Sequence, residues 1–108
     1  MIRAVIHLVA HAAVPGVVAR TFFSKTFVRA WLIMLATMLV DVDHILAEPV
    51  YDPGRCSIGF HPLHTYPIML AYGLLAVWPK TRLIGIGLVI HMLLDGIDCV
   101  WMQYETWI

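Results

Sequence analysis

Hydrophobic and polar positions follow one another in blocks along this chain. Four apolar segments, at about residues 4–19, 30–47, 62–78 and 83–102, are separated by charged residues, prolines and glycines. A helix needs about 20 residues, within a range of about 17–25, to cross the hydrocarbon core of a bilayer. Lipid offers no partner to unpaired backbone groups, so helices are the expected form. The pattern predicts an all-α fold, a four-helix transmembrane bundle forming one integral membrane domain over residues 1–108.

Composition strengthens this prediction. The chain has 108 residues, of which 61% are hydrophobic and only 13% are charged. An average soluble domain is about one quarter charged, and so short a chain could not hide this much apolar surface in its own core. The formal net charge is zero. This excludes the basic surface that nucleic-acid binding requires, so no nucleic-acid partner is expected.

The charges between the segments predict an orientation. Arg20, Lys25 and Arg29 lie between the first two segments, and Lys80 and Arg82 lie between the last two. Positively charged connections stay in the cytoplasm. We therefore expect a multi-pass protein of the bacterial inner membrane, with both termini and the 48–61 connection on the periplasmic side. A cleaved signal peptide is the less favoured interpretation of the N-terminus, because cleavage would discard two histidines.

Ten side chains that can bind a metal interrupt these apolar segments. An ionisable group in such a segment costs several kcal/mol unless it is paired or metallated, so each one suggests function. The set comprises all six histidines and four of the five aspartates: His7, His11, Asp41, Asp43, His44, His61, His64, His91, Asp95 and Asp98.

Helical rise places these side chains at a common level. At about 1.5 Å per residue, His11 and His91 lie roughly 14 Å, and Asp41 roughly 18 Å, from the cytoplasmic charges of their segments. His64 lies roughly 24 Å from its own cytoplasmic end. Residues three or four apart, such as His91 and Asp95, share one helix face. The pattern predicts a metal site in the outer half of the membrane.

Imidazole and carboxylate ligands suit zinc, iron, manganese or nickel. We expect a divalent transition metal, zinc in the first place, with iron or manganese as alternatives. The candidates exceed the four ligands of one tetrahedral zinc, so two ions are an alternative to one. A proton relay without metal is a further alternative. The predicted metal ligands are His7, His11, Asp41, His44, His61, His64, His91 and Asp95, and the predicted catalytic residues are Asp43, Asp98 and Arg55.

Two cysteines, Cys56 and Cys99, allow two interpretations. They are either isolated small apolar residues or a disulfide on the outer side of the membrane, where the environment is oxidising.

Three motifs carry a resemblance to known proteins. They are Asp41-Val42-Asp43-His44, His61-Pro62-Leu63-His64-Thr65, and His91 followed four residues later by Asp95. With them the chain resembles a family of small bacterial four-helix membrane proteins of unknown function, related to LexA-regulated inner-membrane proteins described as metal-dependent hydrolases. The larger group has its middle histidines farther apart, with an arginine and a glycine between them. Its arginine therefore has no equivalent here except Arg55.

The favoured function is a metal-dependent hydrolase that acts on a lipid or phosphoester substrate at the outer leaflet. A metal lowers the pKa of water, Asp43 or Asp98 accepts the proton, and Arg55 binds a phosphate oxygen. The alternatives are a di-iron lipid oxidase or desaturase-like enzyme and a non-catalytic metal-binding membrane protein. Expected partners are membrane lipid, a small-molecule or lipid substrate, and further copies of the chain, because four short helices make a thin bundle.

Overall fold

The computed structural model describes residues 2–49 and 55–107, and this part of the chain is helical without strands. The all-α, four-helix class is confirmed. Two short 3₁₀ turns occur at Ser24–Thr26 and Pro62–His64. The main elements are α1 (Ile2–Phe22), α2 (Phe27–Ala36), the 3₁₀ segment (Thr37–Leu46), α3 (Tyr66–Val77) and α4 (Arg82–Trp107).

The second apolar segment is α-helical only in its first half, whereas the sequence predicts one helix over about 30–47. From Thr37 the chain winds as a 3₁₀ helix, which has three residues per turn. Residues three apart then share a face, and the buried residues of this segment are Thr37, Val40 and Asp43. The 3₁₀ geometry therefore turns Asp43 inward and places Asp41 and His44 together on a neighbouring face.

The third helix begins at Tyr66, four residues later than the predicted start. Pro67 occupies its first turn, where the missing N–H of proline costs no hydrogen bond. The preceding residues, His61–Thr65, form a structured turn that we call the 61–65 turn. The hydroxyl of Tyr72 on α3 donates a 2.8 Å hydrogen bond to the carbonyl of Leu63 and holds this turn against the bundle.

Helix α4 lies at the centre of the bundle and packs against α1, α2, α3 and the 3₁₀ segment. Two glycines permit its close contacts. A Cβ at Gly85 would collide with the backbone of Ala76 on α3, and one at Gly87 would press against Thr37 of the 3₁₀ segment and Met34 of α2. Gly73 has open space around it. Close helix contact therefore depends on the missing side chains of Gly85 and Gly87 and not on that of Gly73.

The surface of the bundle is largely apolar. Helices α1 and α4 are each long and apolar enough to cross a membrane, whereas α3 has 12 residues and is too short to do so alone. Every helix exposes large hydrophobic side chains, for example Leu8, Leu32, Leu70 and Val100.

A disulfide joins Cys56 to Cys99, with 5.1 Å between their Cα atoms. It ties the chain just before the 61–65 turn to α4. Of the two interpretations of these cysteines, the bridge is the one that the structure contains.

Candidate metal centre

Donor side chains from four elements meet at one end of the bundle. Helix α1, the 3₁₀ segment, the 61–65 turn and α4 each contribute. They form three adjoining groups in which the ligand atoms lie within 4.8 Å of one another. We call them the Asp41 group (Asp41, His64, His91, Asp95), the His11 group (His7, His11, Asp95) and the His44 group (Asp43, His44, His61).

The Asp41 group brings two imidazoles onto two carboxylates. Nε2 of His91 lies 3.0 Å from Oδ1 of Asp41 and 3.2 Å from Oδ2 of Asp95. Nε2 of His64 lies 3.2 Å and 3.1 Å from the same two oxygens. His64, His91 and Asp95 are buried, whereas the Asp41 side chain is 37% exposed. Solvent or a ligand can therefore reach the group at Asp41, whereas the other three side chains are enclosed by protein.

The His11 group uses the other oxygen of Asp95. Nε2 of His7 lies 3.1 Å from Oδ1 of Asp95, and Nε2 of His11 lies 3.3 Å from it. His7 and His11 are four residues apart on α1, so their imidazoles share one face of the helix. Asp95 is thus common to both groups.

The hydrogen bonds of the Nδ1 atoms of His11 and His64 determine which nitrogen of each ring carries the lone pair. Nδ1 of His11 lies 2.8 Å from the carbonyl of His7, and Nδ1 of His64 lies 3.0 Å from Oδ2 of Asp43. Carbonyl and carboxylate oxygens only accept, so both Nδ1 atoms donate. In a neutral imidazole, Nε2 then carries a lone pair. Two such lone pairs face the oxygens of Asp95, and this arrangement is repulsive until a cation lies between them.

Three buried atoms also lack a hydrogen bond within the described part of the chain. They are Nε2 of His11, Oδ2 of Asp95 and Nδ1 of His91, and the first two are ligand atoms of the donor groups. Buried polar atoms are normally satisfied, so an unsatisfied pair in a donor cluster suggests an ion. Ligand atoms about 2.0–2.1 Å from a tetrahedral zinc are about 3.3 Å apart. The nitrogen–oxygen distances around Asp95, 3.1–3.3 Å, are close to this value. The residues present fit a divalent transition metal.

Asp43 is placed to orient ligands. It is buried, and its Oδ2 accepts from Nδ1 of His64 at 3.0 Å and from the backbone N–H of Leu63 at 2.8 Å. Its Oδ1 lies 3.1 Å from Nδ1 of His44. Carboxylates that receive the outer N–H of a metal-binding histidine fix the tautomer and the ring orientation. The sequence predicts Asp43 as catalytic, and its contacts are those of a positioning residue.

The His44 group lies on the outer side of Asp43. The rings of His44 and His61 stack with 3.8 Å between their centroids. Burial, followed by the neighbouring His44, holds the pKa of His61 below its ordinary value. His61 therefore stays neutral at neutral pH and keeps a lone pair for a metal or a hydrogen-bond donor.

A cavity of about 400 Å³ opens over the donor groups. Its lining includes His7, Asp41 and Asp95, together with apolar side chains such as Leu8 of α1 and Met102 of α4. Among the polar residues that line it are Arg55, Ser57, Arg3 and Asp98. The guanidinium of Arg55 lies 4.7 Å above the ring of Phe60 and donates to the carbonyl of Pro49 at 3.0 Å.

Arg3 also lines this site, although it is not among the site residues predicted from the sequence. Its Nη1 lies 2.8 Å and 2.9 Å from the two oxygens of Asp98, and its Nε lies 3.5 Å from Glu105. The spacing in the sequence could have indicated this position, because Arg3, His7 and His11 follow one another at four-residue intervals and so share one face of α1. Asp98, predicted as catalytic, lies beside His7, with 3.8 Å between its Oδ1 and Nδ1 of His7.

Comparison with known proteins gives one match. The sequence matches the family described as "Family of unknown function (DUF6122)" over residues 1–102. No curated protein and no solved structure matches it. Nothing in these comparisons links the chain to the LexA-regulated hydrolases.

Proposed function

Because the chain belongs to the DUF6122 family, whose function is unknown, we propose a function from the site itself: a membrane-embedded, metal-dependent hydrolase acting on a lipid or phosphoester substrate. The observation that carries this proposal is a pair of unsatisfied buried ligand atoms, Nε2 of His11 and Oδ2 of Asp95, in a donor cluster that opens through Asp95 to a cavity. A purely structural metal site would have all its positions closed by protein ligands, whereas a catalytic one keeps a position open.

Placement in a membrane is supported by the surface of the bundle. Helices α1 and α4 have the required length and composition, and large apolar side chains project from every helix. In water this surface would be an aggregation hazard, whereas in lipid it is solvated. The charges of the connections favour a bacterial inner membrane, with the site and both termini on the periplasmic side. The Cys56–Cys99 disulfide supports an oxidising compartment for this end.

The substrate class follows from the cavity. Its lining includes Leu8 of α1 and Met102 of α4, which suit an acyl chain arriving from the lipid. Arg55 lines the same cavity, and its planar guanidinium matches the oxygens of a phosphate group. A substrate with an anionic phosphoester head and an apolar tail fits both features.

Zinc is the metal we favour, because imidazole nitrogens outnumber carboxylates around the site. A bound divalent ion supplies Lewis acidity and makes water easier to ionise near neutral pH. Asp98 lines the cavity and Asp43 does not, so Asp98 is the better placed of the two to accept a proton. Nη1 of Arg3 donates to both oxygens of this carboxylate and fixes its orientation. Arg55 holds the anionic head over the donor groups.

The test is hydrolysis by the purified full chain in detergent micelles. After removal of metal with a chelator and reloading with Zn²⁺, we expect cleavage of phospholipid in mixed micelles or of a soluble phosphodiester, and none in the stripped protein. Asp98→Asn should keep its zinc and lose activity. Glu105→Gln, which changes the other carboxylate near Arg3, is the matched control and should keep both. A zinc-loaded wild-type protein that releases nothing from either substrate overturns the proposal.

A di-iron lipid oxidase or desaturase-like enzyme is the second candidate. The observation that favours it is the single carboxylate of Asp95 between two donor groups, since carboxylates also bridge the iron ions of helical-bundle oxidases. Elemental analysis of the protein as isolated separates the two candidates. Iron with an oxygen-dependent absorbance band supports the oxidase, and zinc supports the hydrolase.

A further inference from the structure

We propose that the site holds two metal ions and that the carboxylate of Asp95 bridges them. One ion binds Nε2 of His7, Nε2 of His11 and Oδ1 of Asp95. The other binds Oδ2 of Asp95 together with Asp41, His64 and His91. This inference deepens the proposed metal site and rests on it.

The two oxygens of Asp95 have separate sets of partners. Oδ1 has the Nε2 atoms of His7 and His11 at 3.1 Å and 3.3 Å. Oδ2 has those of His64 and His91 at 3.1 Å and 3.2 Å. Each set reproduces the spacing of about 3.3 Å between ligands of one tetrahedral ion. The ligand atoms form two separate groups, each within 4.8 Å, that share only Asp95, so two ions fit them better than one ion chelated by both oxygens of this carboxylate.

Hydrogen bonding does not account for this arrangement. Four imidazole nitrogens surround one carboxylate, yet Oδ2 of Asp95 and Nε2 of His11 make no hydrogen bond in the described part of the chain. Nδ1 of His11 already donates to the carbonyl of His7. Because the Nδ1 atoms of His11 and His64 already donate, donation from their Nε2 atoms as well would require two imidazolium ions in a buried cluster, and such charge is costly away from water. Two divalent ions satisfy all four nitrogens in their neutral form.

The charges of the two groups also favour two ions. Asp41 and Asp95 each direct an oxygen to the same pair of imidazoles, His64 and His91. Two carboxylates that share the same neighbours repel each other, and a cation bound between them removes this repulsion. Ions bridged by one carboxylate lie about 3.5–4 Å apart, the separation found in two-metal hydrolases.

The His44 group is a weaker place for the second ion. Both oxygens of Asp43 are already engaged, Oδ2 by His64 and Leu63 and Oδ1 by Nδ1 of His44. An ion there would displace the hydrogen bonds that orient His64. The unsatisfied atoms lie in the other two groups.

The experiment is zinc stoichiometry of the full chain in detergent, measured by elemental analysis after saturation and removal of free metal. We expect two Zn²⁺ per chain in the wild type and in Glu105→Gln. His11→Ala should retain one, and His91→Ala should also retain one. Far-UV circular dichroism checks folding, and His7→Ala, which changes the more exposed donor of the same group, replaces His11→Ala if the latter is unfolded. His61→Ala should retain both ions.

Other outcomes are equally informative. One ion in the saturated wild type, or two in a folded His11→Ala and His7→Ala, overturns the bridged pair. If His61→Ala loses an ion, the second ion binds in the His44 group, and this result also overturns the bridged pair. One ion with zinc-dependent hydrolysis would leave the hydrolase proposal standing. Two ions without hydrolysis would support the bridged pair and contradict the hydrolase.

Discussion

Nδ1 of His64 and Oδ2 of Asp43 form a buried hydrogen bond 3.0 Å long between the 61–65 turn and the 3₁₀ segment. It joins residues that are 21 positions apart in the sequence and lie on elements that contribute different ligands. The bond fixes which nitrogen of His64 faces Asp41 and Asp95. The geometry of the Asp41 group therefore depends on a carboxylate that contacts no proposed ion.

Asp43→Asn tests this dependence. The amide keeps the shape of the side chain but offers one acceptor oxygen where Asp43 receives three contacts from N–H groups or ring nitrogens. We expect zinc affinity to fall by about 10–100-fold, the usual effect of losing such a partner. Competition with a chromophoric chelator measures it. Asp98→Asn is the same chemical change outside the donor groups, and equal affinities in the two variants would contradict the assignment.

Removing the disulfide should destabilise the bundle without changing its ligands. The bridge closes a loop of 43 residues, and a bridge of this kind contributes about 2–4 kcal/mol to the free energy of unfolding. Cys56→Ser, Cys99→Ser and the double variant should lose the same amount, because each removes the same bond. Unfolding by titration with a denaturing detergent measures it, and a double variant less stable than both single variants would show that the thiols contribute separately.

Arg55→Gln should weaken substrate binding and leave the metal in place. A charge-assisted hydrogen bond to phosphate contributes about 1.5–3 kcal/mol, so kcat/KM should fall by about 10–100-fold. Zinc content should equal that of the wild type. If Arg55→Gln cleaves a phosphodiester as fast as the wild type does, this arginine does not hold the anionic head.

Gly85→Ala should destabilise the contact between α3 and α4. The added methyl group would collide with the backbone of Ala76, and overpacking of this kind costs about 1–3 kcal/mol. Gly73→Ala is the matched control, because nothing lies within 4 Å of its added Cβ. Alanine is also the better helix former, so this control should be neutral or slightly stabilising. Detergent-induced unfolding of the two variants compares them.

The orientation in the membrane can be tested by labelling. With both native cysteines in the disulfide, a cysteine introduced at Ser24 or at Glu105 is the only thiol for a membrane-impermeant maleimide. Intact cells should label Glu105→Cys and leave Ser24→Cys unlabelled until they are permeabilised. The reverse result would place the metal centre on the cytoplasmic side.

The sequence predicts the helical class and the set of donors because both follow from simple rules. Apolar length indicates helices, and ionisable groups in apolar segments indicate a site. Four-residue spacing places His7 with His11 and His91 with Asp95, as the structure has them. These features depend on local sequence alone.

Other features depend on tertiary contacts and were not predictable. The change to 3₁₀ geometry at Thr37 has no marker in the sequence, so the inward direction of Asp43 could not be foreseen. The third helix begins at Tyr66 and not at the predicted position 62, and its Tyr72 contacts Leu63 of the preceding turn, a tertiary contact that the sequence does not reveal. Each oxygen of Asp95 faces a different donor group. This arrangement depends on how α1 and α4 are rotated relative to each other, and residue spacing within one helix does not predict that rotation.

The 3₁₀ segment also sets how far its donors extend along the bundle. A 3₁₀ helix rises about 2.0 Å per residue against about 1.5 Å for an α-helix, so Thr37–Leu46 is about 5 Å longer than the same residues in α geometry. Rewinding it as an α-helix would withdraw His44 by about 4 Å, or about two metal–ligand bond lengths. The winding of this stretch thus acts as a spacer, and sequence changes that tighten or relax it would alter ion affinity without touching a single ligand.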